Sequence, residues 1–258
     1  MSMRPWWIEH DEHAAPSEHN FAFSEAFSPA MRLLLEDVEN EFESLGGGAL
    51  AWPNPHYDRD PTPEEYSRNA DPGKYRILVD RVQAWANVLV SRGWANKENM
   101  ASWADLRLIR QYEELVLAPV APGAVPLVFA ITGDDPGIGH SVVVGAGDPA
   151  IVVGDPRGCG CDACDDGSMQ LLEDLDQWVL SVVDGSLRVE GGSEAPTIRT
   201  SFVTSTIAGT PEEKHRGAPT SFTAGPWADG WVPRRIPTPL PTGLRPGNGA
   251  PSTQETEP

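Results

Sequence analysis

The feature that most constrains this fold is a change in the spacing of apolar residues along the chain. In three segments, 28–45, 73–92 and 168–184, apolar side chains recur every three or four residues, so each segment is predicted to be a helix with one apolar face. Between 115 and 155 the pattern changes to short β-like runs, separated by turns rich in glycine, proline and aspartate. Consecutive strands with short connections favour antiparallel pairing. The sequence therefore predicts an α+β fold, with three main helices packed on a small, mostly antiparallel sheet.

Local signals mark the ends of these elements. Ser28 is a favourable N-cap, and Pro29 follows at the first helical position, where the N–H that proline lacks has no helical partner. Gly93 and Gly185 end the second and third helices, because glycine readily adopts the left-handed conformation that closes a helix. The predicted strands are 116–120, 125–132, 141–144 and 150–153, with further strand character at 187–190 and 198–207.

Composition divides the chain into three parts. Residues 1–24 are polar and lack a regular pattern, and we expect an irregular N-terminal arm there. Residues 25–232 contain all the predicted helices and strands, and we expect them to form a single α+β domain. Residues 233–258 are dominated by proline, glycine, threonine and serine, which cannot build an apolar core, so this tail is predicted to be disordered.

The chain is strongly acidic, with 38 acidic against 19 basic side chains and a formal net charge of −19. Nucleic acids and anionic membranes both attract basic surfaces, so we expect neither as a partner. The N-terminus lacks the basic start and long apolar run of a secretory signal, which predicts a soluble, cytoplasmic protein. We expect the acidic face of the first helix to be solvated, and Arg68, Arg76 and Arg81 to form surface ion pairs that contribute little stability.

The three cysteines, Cys159, Cys161 and Cys164, lie close together in a segment rich in glycine and aspartate. The C-x2-C spacing lets two thiolates bind one tetrahedral zinc ion, and Cys159 offers a third. His140 is the nearest histidine in sequence and is the candidate fourth ligand. Aspartate oxygens are the alternatives, from Asp155, Asp162 or Asp165. The first interpretation of this segment is therefore a metal site, with zinc as the predicted ion.

Two other interpretations stay open. A C-x2-C pair can cycle between dithiol and disulfide, and the N-terminus of the following helix would stabilise a thiolate. Against this, Asp162, Asp165 and Asp166 place negative charge beside the thiols, which is expected to raise their pKa values. The third interpretation is that the cysteines are small apolar residues packed in a tight turn.

Residues 156–188, which read PRGCGCDACDDGSMQLLEDLDQWVLSVVDGSLR, resemble the CGCDACD signature of a family of uncharacterised actinobacterial proteins that is defined only as a domain of unknown function. The segment 75–95, with its Ala84–Trp85 pair, and the run GAVPLVF at 123–129 are similar as well. The resemblance extends over residues 25–190. It implies a soluble bacterial protein with no established activity, substrate or cofactor, and it identifies no catalytic residue.

Other chemical arrangements in the sequence are weaker. The run 137–140 lacks the Gly-Lys-Ser/Thr ending of a phosphate-binding loop, and Ser141 has no nucleophile-elbow context. We expect the N-terminal histidines to belong to a solvated acidic arm: His10, His13 and His19. We therefore expect a non-catalytic interaction domain that contacts a protein partner, with the cysteine turn as a structural element and candidate metal clip. The alternative is a metal- or thiol-dependent enzyme that uses the three cysteines.

Overall fold

The computed structural model describes residues 4–14, 25–98, 100–104, 106, 111–133, 137–191, 196–202, 204–206 and 221–237. The α-helices are α1 (Trp6–His13), α2 (Pro29–Ser44), α3 (Arg76–Ser91) and α4 (Gly167–Val183). The strands are β1 (Ala95–Glu98), β2 (Tyr112–Pro119), β3 (Leu127–Thr132), β4 (Ser141–Gly147), β5 (Ala150–Gly154), β6 (Arg188–Glu190), β7 (Thr197–Arg199), β8 (Thr204–Thr206) and β9 (Phe222–Thr223). Short 3₁₀ turns lie at Gly47–Leu50, Pro63–Ser67, Pro72–Tyr75 and Asp162–Cys164.

The larger sheet is a meander in which β1 to β5 pair in chain order, each with its neighbour and all antiparallel. The central strands β3 and β4 pair from Leu127 opposite Ala146 to Thr132 opposite Ser141. A smaller antiparallel sheet has the order β8-β7-β6-β9. Because β9 pairs with β6, the C-terminal part of the chain is tied to the region that follows α4.

One apolar core joins the helices to the sheets. Trp85 of α3, Phe129 of β3 and Leu175 of α4 are completely buried in it. Trp227, from the C-terminal segment, is buried in the same core, and Trp231 packs edge-to-face with Trp94 at a ring-centroid distance of 5.2 Å.

The predicted fold class is confirmed, since four helices and a five-stranded antiparallel sheet form an α+β structure. The helices predicted over 28–45, 73–92 and 168–184 correspond to α2, α3 and α4. Strand β1 is not predicted from the sequence, because its single buried residue, Ala95, leaves no apolar alternation to detect. Within the described part of the chain, no helix has the length and apolar character needed to cross a membrane.

Parts of both terminal segments pack on the domain. In the segment 1–24, for which we expected an irregular arm, Trp6–His13 form α1, and Trp6 and Trp7 are buried. In the segment 233–258, which we expected to be disordered, Arg234 is buried and its guanidinium donates to the backbone carbonyl of Glu25. Residues 238–258 lie outside the described residues. Composition misses these contacts because they depend on partners that are distant in sequence.

The prediction that Arg81 forms a surface ion pair is wrong. Arg81 is 1% exposed, and its guanidinium donates to Asp176 of α4 at 3.0 and 2.6 Å. It also donates to Glu39 at 2.8 Å, so the acidic face of α2 is partly paired rather than fully solvated. Asp176 accepts further hydrogen bonds from the indoles of Trp6 and Trp85, at 2.8 and 2.6 Å. A sequence signal for burial exists, because Arg81 lies four residues before Trp85 on the apolar face of α3.

Candidate metal centre

The three cysteines lie in the loop 155–166, between the last residue of β5 and the first residue of α4. Two glycines let this loop turn sharply. Gly158 and Gly160 have φ angles of +56° and +68°, in the left-handed region that favours glycine. A Cβ on Gly160 would also lie 2.6 Å from Nε of Arg157, so the Arg157 side chain would have to shift to make room for it.

The turn brings the three sulfur atoms together. Cys159 Sγ lies 3.0 Å from Cys161 Sγ and 3.6 Å from Cys164 Sγ, and all three sulfurs are within 4.8 Å of one another. The cysteines are free thiols; Cys159 and Cys164 are exposed, and Cys161 is half-buried. Across the described ranges, this is the one group of three or more His, Cys, Asp or Glu side chains with ligand atoms so close together. The three cysteines could hold a metal ion.

Asp162 anchors the loop to the segment before α3. Its backbone N–H donates to the carbonyl of Arg68 at 2.7 Å. Its carboxylate accepts from Nε of Arg68 at 2.6 Å and from the N–H of Ala70 at 3.0 Å. Although partial burial opposes the effect, these hydrogen bonds hold the pKa of Asp162 below its usual range. The carboxylate is therefore ionised, and it is bound to Arg68 and Ala70 rather than to the sulfur group.

Asp165 is engaged in the same way. Its carboxylate accepts from the indole N–H of Trp52 at 2.8 Å and from the N–H of Gly167 at 2.9 Å, and it forms an ion pair with Lys74. Its backbone carbonyl lies 3.2 Å from Nδ1 of His56. Asp165 thus holds the loop against residues 52–74 and does not join the sulfur group.

The three thiols do not share one electrostatic environment. The hydrogen bonds that Cys159 makes with the side chain and with the backbone N–H of Cys161 lower the pKa of Cys159. The Cys161 and Cys159 sulfurs raise the pKa of Cys164 to about 12. The expectation that the neighbouring carboxylates raise the thiol pKa values is wrong for Cys159. Its pKa responds mainly to the adjacent cysteine, since Asp162 and Asp165 are paired with basic side chains.

The structure does not bring His140 into the sulfur group. Nδ1 of His140 lies 3.2 Å from the carbonyl oxygen of Thr132, and the backbone carbonyl of His140 accepts from Nη1 of Arg157 at 2.7 Å. Asp155 also stays outside the group; it accepts from the N–H of Gly158 at 3.2 Å, and burial raises its pKa. The identity of a fourth ligand therefore stays open.

Sequence reasoning does not identify the segment that supports the loop. The N–H of Trp52 donates to Oγ of Ser168 at 3.0 Å, and the N–H of Ser168 donates to the carbonyl of Trp52 at 3.1 Å. This reciprocal pair fixes the start of α4, but its members are 116 positions apart. No local pattern signals such a pairing, because each residue alone is typical of a loop or a helix start.

The N-terminal histidines lie elsewhere. His10 and His13 belong to α1 and are not part of the sulfur group. The ring of His10 packs on Phe27 at a centroid distance of 4.6 Å, and burial lowers the pKa of His10 to about 4. His19 lies outside the described residues. His10 is therefore a packed, neutral side chain near pH 7 rather than part of a solvated arm.

Comparison with known proteins identifies a family and no characterised relative. A family model described as "Family of unknown function (DUF6226)" matches residues 38–233, which include the cysteine loop. No curated protein and no solved structure matches the chain. The resemblance drawn from 156–188 is confirmed as one to a family of unknown function, while the actinobacterial origin and the cysteine signature stay predictions. Because the matched region covers more than half of the chain, this protein belongs to DUF6226, a family of unknown function.

Proposed function

We propose that the loop of Cys159, Cys161 and Cys164 binds one thiophilic divalent metal ion, and that this ion is zinc. The observation that carries the proposal is the convergence of three sulfur atoms within 4.8 Å of one another. Thiolates are soft ligands that favour zinc, whereas magnesium and calcium prefer oxygen. The cysteines are not among the residues of the apolar core that the described chain forms, so packing alone does not account for their grouping.

The sulfur separations are close to those that a tetrahedral site needs. Zinc–thiolate bonds are about 2.3 Å long, which puts two sulfurs of one tetrahedron about 3.8 Å apart. The observed separations of 3.0 and 3.6 Å from Cys159 require shifts below about 1 Å to reach that value. A loop with two exposed sulfurs and two glycines in left-handed conformations can make such shifts without disturbing the core.

The fourth coordination position belongs to a ligand from outside the loop. Asp162 and Asp165 are held by basic side chains and backbone amides, so using either oxygen would break existing ion pairs. Three protein ligands with an open fourth position are the arrangement of catalytic zinc sites, in which water or substrate completes the tetrahedron, and the same coordination is available here. The exposure of Cys159 and Cys164 leaves room for such a ligand.

We also propose that the metal acts as a local clip in a domain that works through protein contacts. All three ligands come from one short loop, so the metal shapes this loop rather than joining distant elements. The loop docks on residues 52–74, which expose Tyr57 and Tyr66 at 90% and 62%. Aromatic residues are enriched at protein interfaces. A metal that sets the conformation of the loop would therefore set the shape of a surface beside these two tyrosines.

Elemental analysis of reduced protein, purified without a histidine tag, tests the metal site directly. We expect one zinc ion per chain. We also expect thiols that react slowly with a thiol reagent until a strong chelator is added, because thiolates bound to metal are protected. Protein without stoichiometric metal, whose three thiols react at once in the absence of chelator, would refute the proposal.

A pair of matched variants separates ligand loss from general damage to the loop. Cys161→Ser removes one sulfur, and we expect the purified variant to lose its zinc. Asp166→Asn changes an exposed residue of the same loop that is not in the sulfur group, and we expect it to retain zinc. Zinc retention in Cys161→Ser at the level of the parent protein would exclude Cys161 as a ligand.

The second candidate function is thiol chemistry without a resident metal. The lowered pKa of Cys159, which results from its hydrogen bonds with Cys161, favours this alternative. It predicts that Cys159 reacts faster than an ordinary exposed thiol and that a chelator changes nothing. The same titration, carried out with and without chelator, therefore distinguishes the two functions.

A further inference from the structure

We propose that Cys159 is a modification site for hydroperoxides, and that its oxidation to a disulfide with Cys164 releases the bound metal. This regulation rests on the proposed zinc site and uses the same sulfur atoms. It would make metal occupancy, and with it the conformation of the loop, depend on the level of peroxide.

The sulfur of Cys159 lies close to both of the other sulfurs. Its Sγ lies within 3.6 Å of both other sulfur atoms, so either of them could attack an oxidised Cys159 without a change of fold. Cys159 is also exposed, so an oxidant as small as hydrogen peroxide can reach its sulfur even where bound metal slows the reaction with a larger thiol reagent. An accessible cysteine beside a second, resolving cysteine is the arrangement that peroxide-sensing proteins use.

Cys164 is the resolving partner because of its exposure and its position. It is exposed, whereas Cys161 is half-buried, so its sulfur can move toward Cys159 without displacing packed atoms. Cys161 Sγ is the nearer sulfur, but a link from Cys159 to Cys161 would span only Gly160 and would close a ring across its left-handed turn, whose φ angle is +68°. The longer connection to Cys164 leaves this turn in place.

The reaction proceeds in two balanced steps. The thiolate of Cys159 attacks the terminal oxygen of a hydroperoxide; the O–O bond breaks, and with one proton the products are the sulfenic acid of Cys159 and one molecule of alcohol, or of water for hydrogen peroxide. The sulfur of Cys164 then attacks the sulfur of that sulfenic acid; the S–S bond forms, the S–O bond breaks, and the hydroxide leaves as water with a proton from the Cys164 thiol or from solvent. The two sulfurs together lose two electrons, and the peroxide gains them.

The metal leaves because its ligand set is lost. Disulfide sulfurs carry no negative charge, so only Cys161 keeps a thiolate. One remaining thiolate leaves the ion short of protein ligands, since structural zinc sites use four and catalytic zinc sites use three, so the ion would be released to solvent. Reduction of the disulfide would restore the three thiolates and the site.

The test uses the full-length chain, loaded with zinc and freed of reductant. One equivalent of hydrogen peroxide is added in the presence of a colorimetric zinc indicator, and the linked peptides are identified by mass spectrometry. We expect release of one zinc ion per chain and a Cys159–Cys164 disulfide. Zinc that stays bound while peroxide is consumed would overturn the proposal, as would a disulfide that links Cys159 to Cys161. A reduced chain that binds no zinc at all would refute the proposed zinc site, and with it the proposed release of metal.

Two metal-free variants test the pairing independently of zinc. Cys161→Ser keeps both partners of the proposed disulfide, and we expect peroxide to remove its two thiols together. Cys164→Ser lacks the resolving sulfur, and we expect Cys159 to accumulate as a sulfenic acid that a dimedone-type reagent labels. The reverse result, with rapid loss of both thiols in Cys164→Ser and a labelled sulfenic acid in Cys161→Ser, would refute the assignment of Cys164.

Discussion

Asp176→Asn tests the buried charge cluster that joins α1, α3 and α4. Asp176 is fully buried and accepts four hydrogen bonds, two from Arg81 and one each from Trp6 and Trp85. Asparagine keeps the shape of the side chain, but it removes the negative charge and replaces one acceptor oxygen with an NH₂ donor. Arg81, which is 1% exposed, would then have Glu39 as its remaining carboxylate partner within the described ranges.

The structure sets the size of the expected effect. Removing one partner of a buried ion pair typically costs about 3–5 kcal/mol, because the other charge is left uncompensated. The new NH₂ group also faces donors only, so at least one buried N–H loses its acceptor, at a cost of about 1–3 kcal/mol. These two costs overlap, and we expect the free energy of unfolding to fall by about 4 kcal/mol. Since single domains have about 5–15 kcal/mol of stability, the variant should still fold at 25 °C.

Urea unfolding at pH 7, followed by far-ultraviolet circular dichroism, measures this change. We expect the midpoint to shift to a lower urea concentration, while the slope of the free energy of unfolding against urea concentration stays unchanged. Asp174→Asn is the matched control, because Asp174 lies on the same helix, is only half-buried, and accepts a hydrogen bond from the neutral side chain of Gln170. We expect it to change the stability by less than about 0.5 kcal/mol. A loss below about 1 kcal/mol in Asp176→Asn would refute the argument that Asp176 neutralises a buried arginine.

Three further predictions concern single side chains. Trp6→Phe should lower the free energy of unfolding, measured in urea, by about 1.5–3 kcal/mol more than Trp7→Phe does. The reason is that the indole of Trp6 donates to Asp176, whereas that of Trp7 has no hydrogen-bond partner among the described residues. Equal losses of stability in the two variants would contradict this. Burial raises the pKa of Asp184 to about 7. Between pH 4 and pH 7 the folded state therefore holds a proton that the unfolded state has released. The free energy of unfolding should then fall with rising pH, by up to about 1.4 kcal/mol per pH unit. Asp184→Asn cannot ionise, so its stability relative to the parent should increase from pH 4 to pH 7 in urea titrations, and parallel pH profiles would exclude the effect. His140→Ala should leave the zinc content unchanged in elemental analysis, because the His140 ring is not part of the sulfur group, and loss of zinc would identify His140 as the fourth ligand.

The helices and most strands of the larger sheet could be predicted because their signals are local. Apolar residues at helical spacing define α2, α3 and α4, and Ser28 accepts a hydrogen bond from the N–H of Met31, as an N-cap residue should. Strand β1 and helix α1 could not be predicted in this way. Few of their residues are buried, and those become buried only through contacts with distant parts of the chain.

The sulfur cluster itself was predictable, and the reason is its short span. Three cysteines within six positions lie in one short loop, so the sequence indicates that their sulfurs could meet, and the turn at Gly158 and Gly160 brings them within 4.8 Å of one another. The supporting contacts were not predictable in the same way. Arg68 and Asp162 are 94 positions apart, and Lys74 and Asp165 are 91 apart. These pairs decide that the two carboxylates anchor the loop instead of completing the metal site.

By itself, the sequence determined the fold class and the presence of a three-thiol loop, because both follow from spacings within a few turns of chain. Only the tertiary structure decided that Arg81 is buried against Asp176 and that His140 stays outside the sulfur group. Both facts depend on which distant segments meet when the helices pack on the sheet. The segments that meet are determined by the burial of whole apolar faces. The free energy of this burial is shared among many residues, so no single position in the sequence indicates which segments pack together.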